Sequence, residues 1–234
     1  MQNSKVNVSL RSAAVISGFA LLTSVIAAPF AELYAFPRLL VPGNAIETAK
    51  KILSNQSLFV LVIFAYLLTF ICDVIIAWAT YILLKPVNGP LSLLTAGLRL
   101  IYTIVALVAL NNLVTVYRLL TAPEFKDVFE PQQLYAQVFL YLRVFRYHWY
   151  FGIIFFAFHL LFLGFLVMKA RFIPGILGII LMITGIGYLL TTLKPYLFPT
   201  INVDFASYTF YGELIFMLWL LIRGWTIKEP IENT

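Results

Sequence analysis

Residues 58–84 read LFVLVIFAYLLTFICDVIIAWATYILL and contain one charged residue, Asp73. A helix needs about 20 mostly apolar residues to cross the hydrocarbon core of a bilayer, and this stretch is longer than that. Five other stretches have a similar length and apolar character, so the sequence predicts about six transmembrane helices. With the quoted stretch included, their predicted bounds are 12–34, 58–84, 90–117, 148–168, 172–193 and 206–223.

The composition of the whole chain supports the same class. Of 234 residues, 62% are hydrophobic and 11% are charged, and the mean hydropathy is +0.95. A soluble domain has about 25% charged residues, more than twice this share. We therefore expect an all-α, polytopic membrane helical bundle, organised as a single transmembrane domain over residues 1–234, with membrane lipid as a partner. The net charge of +6 is not gathered into a Lys/Arg block, so no nucleic-acid partner is predicted.

Loop charges predict the orientation in the membrane. The connections 85–90 and 169–171 are short, basic and free of acidic residues, as cytoplasmic loops tend to be. The basic N-terminus around Lys5 agrees with them, so both termini are predicted to be cytoplasmic. The longer connections 35–57 and 118–147 mix acidic and basic residues and are assigned to the outer face.

Local patterns refine the ends of the helices. The first apolar stretch resembles a signal peptide, but five more spans follow it, so we expect a retained helix. Asn44 is expected to cap a short amphipathic helix over 45–53. Residues 132–147 are also amphipathic and either lie at the membrane interface or lengthen the fourth span. The glycines of the fifth span are interpreted as close-packing positions, namely Gly175, Gly178, Gly185 and Gly187.

Four ionisable residues, Asp73, Arg99, His159 and Glu213, each lie inside a different predicted span. Counted from the predicted cytoplasmic ends at about 1.5 Å per residue, all four lie about 14–16 Å deep. Charged groups inside a membrane are tolerated mainly where they pair or line a polar cavity. We therefore expect the four to face one interior volume, with Asp73 or Glu213 as the counter-charge of Arg99.

Polar residues near these charges extend the candidate binding site. Tyr66 and Thr69 lie on the same face, or stripe, of their predicted helix as Asp73, and Thr103 lies on the same stripe of its helix as Arg99. Glu32, near the outer end of the first span, is expected to gate or cap a cavity, with a surface pair as the alternative. The candidate binding residues are Asp73, Arg99, His159, Glu213, Tyr66, Thr69, Thr103 and Glu32.

Two other interpretations of the charged residues remain open. In the first, Asp73 neutralises Arg99 and His159 neutralises Glu213, which makes the charges a structural network. In the second, Asp73, His159 and Glu213 bind a zinc or manganese ion, since carboxylates and imidazole suit these metals. Local metal-binding spacing is absent from the sequence and Arg99 would repel the ion, so we expect no metal and no other cofactor.

The chain resembles a bacterial membrane-protein family known only as domain of unknown function 4386. The resembling residues occur along nearly the whole chain and include all four buried charges. They are Glu32, 38–43, Asp73, 84–88, Arg99, 155–159, 163–164, 172–178, 187–188, Glu213 and 219–220. The resemblance implies a multi-helix protein of the bacterial inner membrane, and it implies no activity.

The sequence therefore favours a protein that binds or transports a small polar or amphiphilic ligand at a polar site near midplane, with coupling to protons as a further expectation. Histidine can exchange protons near neutral pH, which suits a proton relay. The first rival is an intramembrane enzyme that modifies lipid, with Glu213 or Asp73 as general base and His159 as its partner or as a metal ligand. The second rival is a structural or accessory subunit. The ligand and the oligomeric state are not determined by the sequence.

Overall fold

A computed structural model of the protein describes residues 8–228, so Lys5 lies outside the described residues. Helices dominate these residues and no strand occurs among them. In chain order the elements are α1 (Leu10–Pro29), a π-helix (Phe30–Ala35), α2 (Phe36–Leu39), α3 (Ala45–Ser54), α4 (Gln56–Leu84), α5 (Gly89–Thr121), α6 (Pro123–Val128), α7 (Pro131–Lys169), α8 (Gly175–Leu197), a 3-10 helix (Asp204–Thr209), α9 (Gly212–Arg223) and a 3-10 turn (Gly224–Thr226).

Six of these helical segments are long and apolar enough to cross a membrane, which confirms the all-α polytopic class. They are Leu10–Leu39, Gln56–Leu84, Gly89–Thr121, Pro131–Lys169, Gly175–Leu197 and Asp204–Thr226. The fourth segment begins well before the predicted residue 148, because the amphipathic stretch 132–147 continues into the apolar helix without a break. That stretch therefore lengthens the fourth span, which settles the alternative left open by the sequence.

Two of the six segments depart from regular α-helix. In the first, Pro29 lies inside the helix and is followed directly by the π-helix Phe30–Ala35. Proline lacks the backbone N–H donor and clashes with the preceding turn, so it disturbs the regular ladder there. In the sixth, a 3-10 helix ends at Thr209 and α9 begins only at Gly212. Glu32 lies in the first irregular region, and Glu213 directly follows the second.

The short helix α3 begins as its sequence predicts. The Asn44 side chain accepts a hydrogen bond from the Glu47 backbone N–H at 3.0 Å. This bond satisfies one of the amide donors that every helix leaves unpaired in its first turn. The predicted cap is therefore confirmed.

The described residues divide into two compact units, and the prediction of a single domain over 1–234 stays a prediction. The first unit contains the described residues up to Leu22, Cys72–Ile101 and the described residues from Ile153 onward. In it α7 and α8 are in backbone contact, because a Cβ added to Gly178 would collide with the carbonyl oxygen of Gly164. Bulkier residues at either glycine would separate the two helices.

The other three glycines of α8 differ in how closely neighbouring atoms approach them. A Cβ added to Gly185 would lie 2.8 Å from the Ala157 carbonyl oxygen, and one added to Gly187 would collide with the Thr209 hydroxyl. Close packing is thus confirmed for Gly178, Gly185 and Gly187. It is wrong for Gly175, where the nearest atom would be 3.9 Å away, because this residue begins the helix.

The second unit contains Thr23–Ile71 and Tyr102–Gly152. Its interior is aromatic, and the rings contact one another at centroid distances between 5.0 and 6.4 Å. The rings belong to Phe36, Tyr66, Phe70, Phe145 and Trp149. Edge-to-face and tilted contacts of this kind stabilise aromatic clusters beyond the area they bury.

Candidate functional site

Arg99, on α5, is the centre of a buried polar network in the first unit. Its Nε and Nη2 atoms donate to Asp73 Oδ1 at 3.0 and 2.6 Å, and Nη1 donates to Glu213 Oε1 at 2.8 Å. Arg99 is 1% exposed, and the side chain of Asp73 is 4% exposed. Hydrogen bonds between charged groups are roughly twice as strong as neutral ones. All three guanidinium nitrogens of Arg99 donate hydrogen bonds, and both predicted counter-charges are its partners.

His159, on α7, completes the network in a defined tautomer. Its Nε2 atom lies 3.1 Å from Arg99 Nη1, and its Nδ1 atom lies 2.8 Å from the Thr95 carbonyl oxygen. A guanidinium can only donate and a carbonyl can only accept. The hydrogen-bond network thus assigns the proton to Nδ1 and makes Nε2 an acceptor, so the imidazole is neutral. His159 is bound to Arg99 rather than forming a separate pair with Glu213.

Glu213 is held at the break in the last span. A Cβ at the neighbouring Gly212 would collide with the Thr184 hydroxyl, and that hydroxyl donates to the Thr209 carbonyl oxygen at 2.6 Å. These contacts fix the start of α9 against α8. Glu213 occupies the first turn of α9, where the helix dipole favours a negative charge. Its side chain is 20% exposed, which makes it the most accessible member of the network.

Aromatic rings form the surroundings of the charged groups. The Arg99 guanidinium lies 5.3 Å from the centre of the Phe156 ring, and Phe156 contacts Tyr188 at 5.6 Å. Tyr188 in turn stacks on Phe210 at 4.2 Å. A low-polarity wall of this kind strengthens electrostatic interactions inside it and makes an unbalanced charge costly.

The charges in the network do not balance. Two carboxylates, Asp73 and Glu213, face one guanidinium, and His159 is neutral. With both carboxyl groups ionised, one negative charge is in excess of the single guanidinium. A proton, a cation or a cationic part of a ligand is needed to neutralise it.

The arrangement does not support a metal site. Within residues 8–228, no three His, Cys, Asp or Glu side chains are grouped so that they could hold a metal ion. The reason is the guanidinium of Arg99, whose N–H groups point at acceptor atoms of Asp73, His159 and Glu213. These are the atoms that a metal would need.

The other four candidate residues lie in the second unit, and their assignment to a binding site stays a prediction. Tyr66 and Glu32 are hydrogen-bonded to each other there. The hydroxyl of Thr69 donates to the Ala65 carbonyl of its own helix at 2.9 Å, and Thr103 is buried. The sequence grouped Tyr66 and Thr69 with Asp73, and Thr103 with Arg99, because each set lies along one face, or stripe, of a helix. A stripe runs the length of a helix, however, and the helices are long enough to contribute to both units.

Glu32 forms a second polar cluster with residues that the sequence did not assign to it. Its Oε1 atom accepts from Arg146 Nη1 at 2.7 Å and from the Tyr66 hydroxyl. The Arg146 guanidinium lies 4.9 Å from the centre of the Phe36 ring. Arg38, a cation nearer to Glu32 in the sequence, donates to the Tyr34 carbonyl oxygen at 2.7 Å. Arg146 was missed because its surrounding run of aromatic residues is also typical of a membrane interface.

Comparison with known proteins identifies relatives but no activity. An uncharacterized protein of Archaeoglobus fulgidus is 31% identical over 169 residues, which are 71% of this chain and 85% of that protein. No solved structure matches the chain. A profile described as "Domain of unknown function (DUF4386)" matches residues 16–224, a range that includes both polar clusters. The chain therefore belongs to the DUF4386 family.

Proposed function

We propose that this protein binds and transports a small polar or amphiphilic ligand within a membrane, and that exchange of a proton at the Arg99 network is coupled to ligand binding. The observation that carries the proposal is that two carboxyl groups, those of Asp73 and Glu213, share one guanidinium, that of Arg99. A buried ion without a counter-charge is strongly unfavourable. The network therefore needs either a proton or a cationic group, and a change between the two is a natural coupling step.

Glu213 is the residue proposed to exchange the proton. It makes one hydrogen bond to Arg99 where Asp73 accepts two, and its side chain is 20% exposed where that of Asp73 is 4% exposed. It also follows the break between the 3-10 helix and α9. Interrupted helices in membrane transporters commonly form substrate and ion sites, because backbone groups at the break are free to bind.

The contacts of His159 bear on the first rival, a lipid-modifying enzyme. Such an enzyme would use Glu213 or Asp73 as the general base, with His159 as its partner or as a metal ligand. Its Nε2 atom, however, already accepts from Arg99, and its Nδ1 proton is directed to the Thr95 carbonyl. A structural role is the second candidate, and the engagement of all three Arg99 nitrogens favours it. Such a role requires the same charges but no proton exchange.

Infrared difference spectroscopy on the protein reconstituted in lipid distinguishes proton exchange from a static network. If the network exchanges a proton, the wild type shows the carbonyl band of one protonated carboxyl group, and this band disappears as the pH rises. Glu213→Gln is expected to abolish this band. Glu32→Gln is the matched control, since Glu32 is also a partly exposed carboxylate paired with an arginine.

Three results would contradict the proposal. A band that is absent from the wild type at every pH would indicate the static network. A band that persists in Glu213→Gln and disappears in Asp73→Asn would move the exchange to Asp73, against the exposures described above. A band lost in Glu32→Gln would move it to the second unit.

A further inference from the structure

The first unit contains a second candidate site that shares no residue with the Arg99 network. It is a cavity of about 550 Å³ at the two short connections between α4 and α5 and between α7 and α8. Its walls are formed by 86–88 of the first connection, by the end of α7, and by 171–172 of the second connection. A volume of this size is typical of small-molecule sites, which span about 300–1,000 Å³.

One side of the cavity is cationic. Lys169, the last residue of α7, and Arg171 both line it and are both exposed. Neither forms an ion pair with any carboxylate among residues 8–228. Lys169 instead lies over the Phe165 ring, with its Nζ atom 5.6 Å from the ring centre. Two cations on one wall favour a ligand with an anionic group.

The other side of the cavity is apolar. It is lined by Phe165, which is 40% exposed, by the buried Leu166 and by the half-buried Phe172. Both connections also join helices that are long and apolar enough to cross a membrane. The cavity therefore lies where apolar spans end, and its chemistry changes from apolar to cationic along its wall. A ligand that fits both parts is an amphiphile with an acidic head.

We propose that this cavity binds an acidic phospholipid, with its phosphate at Lys169 and Arg171 and the start of an acyl chain along Phe165. Basic pockets between transmembrane helices are a recurring binding mode for anionic lipid head groups. The orientation predicted from loop charge would place the cavity in the cytoplasmic leaflet, where acidic lipids are concentrated. The proposal does not depend on the function of the Arg99 network.

The test measures lipid binding to the full chain in detergent by native mass spectrometry. Phosphatidylglycerol is expected to bind more tightly than phosphatidylcholine of the same acyl chains. Each cation near a lipid surface is worth about fivefold in affinity, so Lys169→Gln with Arg171→Gln should weaken phosphatidylglycerol binding about 25-fold. The charge-preserving pair Lys169→Arg and Arg171→Lys should retain most of the binding.

A matched control separates this site from general charge. Arg143 is an exposed cation on the same helix and also lies over a phenylalanine one turn earlier, Phe139, at 5.1 Å. Arg143→Gln with Lys51→Gln removes two exposed cations from the second unit and should leave binding within about twofold of wild type. An equal loss in this control would overturn the site in favour of non-specific attraction.

Two further measurements decide the nature of the ligand. Phe165→Ala should weaken binding of phosphatidylglycerol but not of inorganic phosphate, since only the lipid reaches that wall. If inorganic phosphate or glycerol phosphate competes with the lipid at equal concentration, the site takes a free phosphate and the lipid assignment is wrong. Equal affinity for phosphatidylcholine would likewise refute it. Thermal unfolding of each variant in lipid-free detergent confirms that it is folded.

Discussion

Replacing Arg99 by methionine is expected to lower the free energy of unfolding by about 3–5 kcal/mol, the range for removing one partner of a buried ion pair. Methionine keeps much of the apolar stem and removes all guanidinium donors. Asp73 then loses two hydrogen bonds while its side chain is 4% exposed, so water cannot replace them. Glu213 loses one hydrogen bond and is 20% exposed, so it is partly rehydrated and contributes less.

The triple variant Arg99→Met, Asp73→Asn and Glu213→Gln is expected to be more stable than Arg99→Met alone. It leaves no buried charge, and the remaining loss of about 1–2 kcal/mol comes from amide groups without their former donors. The recovery of about 2–3 kcal/mol is the expected signature of a coupled network, because independent sites would add their losses.

The measurement is equilibrium unfolding in mixed micelles with a rising fraction of sodium dodecyl sulfate, followed by circular dichroism. Arg143→Met is the control, since Arg143 is exposed and is expected to change stability by no more than about 0.5–1 kcal/mol. If the triple variant is as unstable as Arg99→Met or less stable, the three residues do not form the coupled network described here.

Two further predictions concern packing and orientation. Gly178→Ala should lower the free energy of unfolding by about 1–3 kcal/mol, because its Cβ would meet the backbone of α7. The control is Gly97→Ala, whose Cβ would have no neighbouring side chain or distant backbone within 4 Å, and it should be neutral or stabilising by up to about 1 kcal/mol in the same unfolding assay. Equal effects of the two substitutions would contradict the close contact at Gly178. In a Cys72→Ala background, an impermeant thiol reagent should label Glu130→Cys but not Pro86→Cys in intact cells, because the loop charges predict that 85–90 is cytoplasmic. Labelling of Pro86→Cys alone would show that the orientation is opposite to the predicted one.

Sequence reasoning placed the four charges in one volume and named Asp73 or Glu213 as the counter-charge of Arg99, whereas the rival interpretation of two separate pairs does not match the hydrogen bonds. The predicted depth of each residue depends only on helix rise and on the ends of apolar stretches, so a count along the chain was sufficient. The pairing depends on which side-chain atoms reach one another. Arg99 has five N–H donors in a rigid fork and can serve three partners at once, which a scheme of two separate pairs did not include.

The other four candidate residues were not chosen by depth. Tyr66 and Thr69 lie on the stripe of Asp73, and helical periodicity reports the face of a residue without reporting its partner across the interface. Glu32 and Arg146 are 114 residues apart, so no local pattern relates them. Their contact follows from the irregular helix after Pro29 and from the packing of aromatic rings around Arg146.

Apolar stretches and their lengths by themselves determined the all-α polytopic class, since a long apolar helix satisfies its own backbone hydrogen bonds wherever it is placed. The cap at Asn44 was also fixed locally, because its partner is three residues away. Tertiary structure alone decided that Arg99 binds both carboxylates, that His159 accepts from it, and that α9 begins beside Thr184. Each of these depends on close contacts between segments distant in sequence, and the contacts are set by packing geometry rather than by the composition of any one segment.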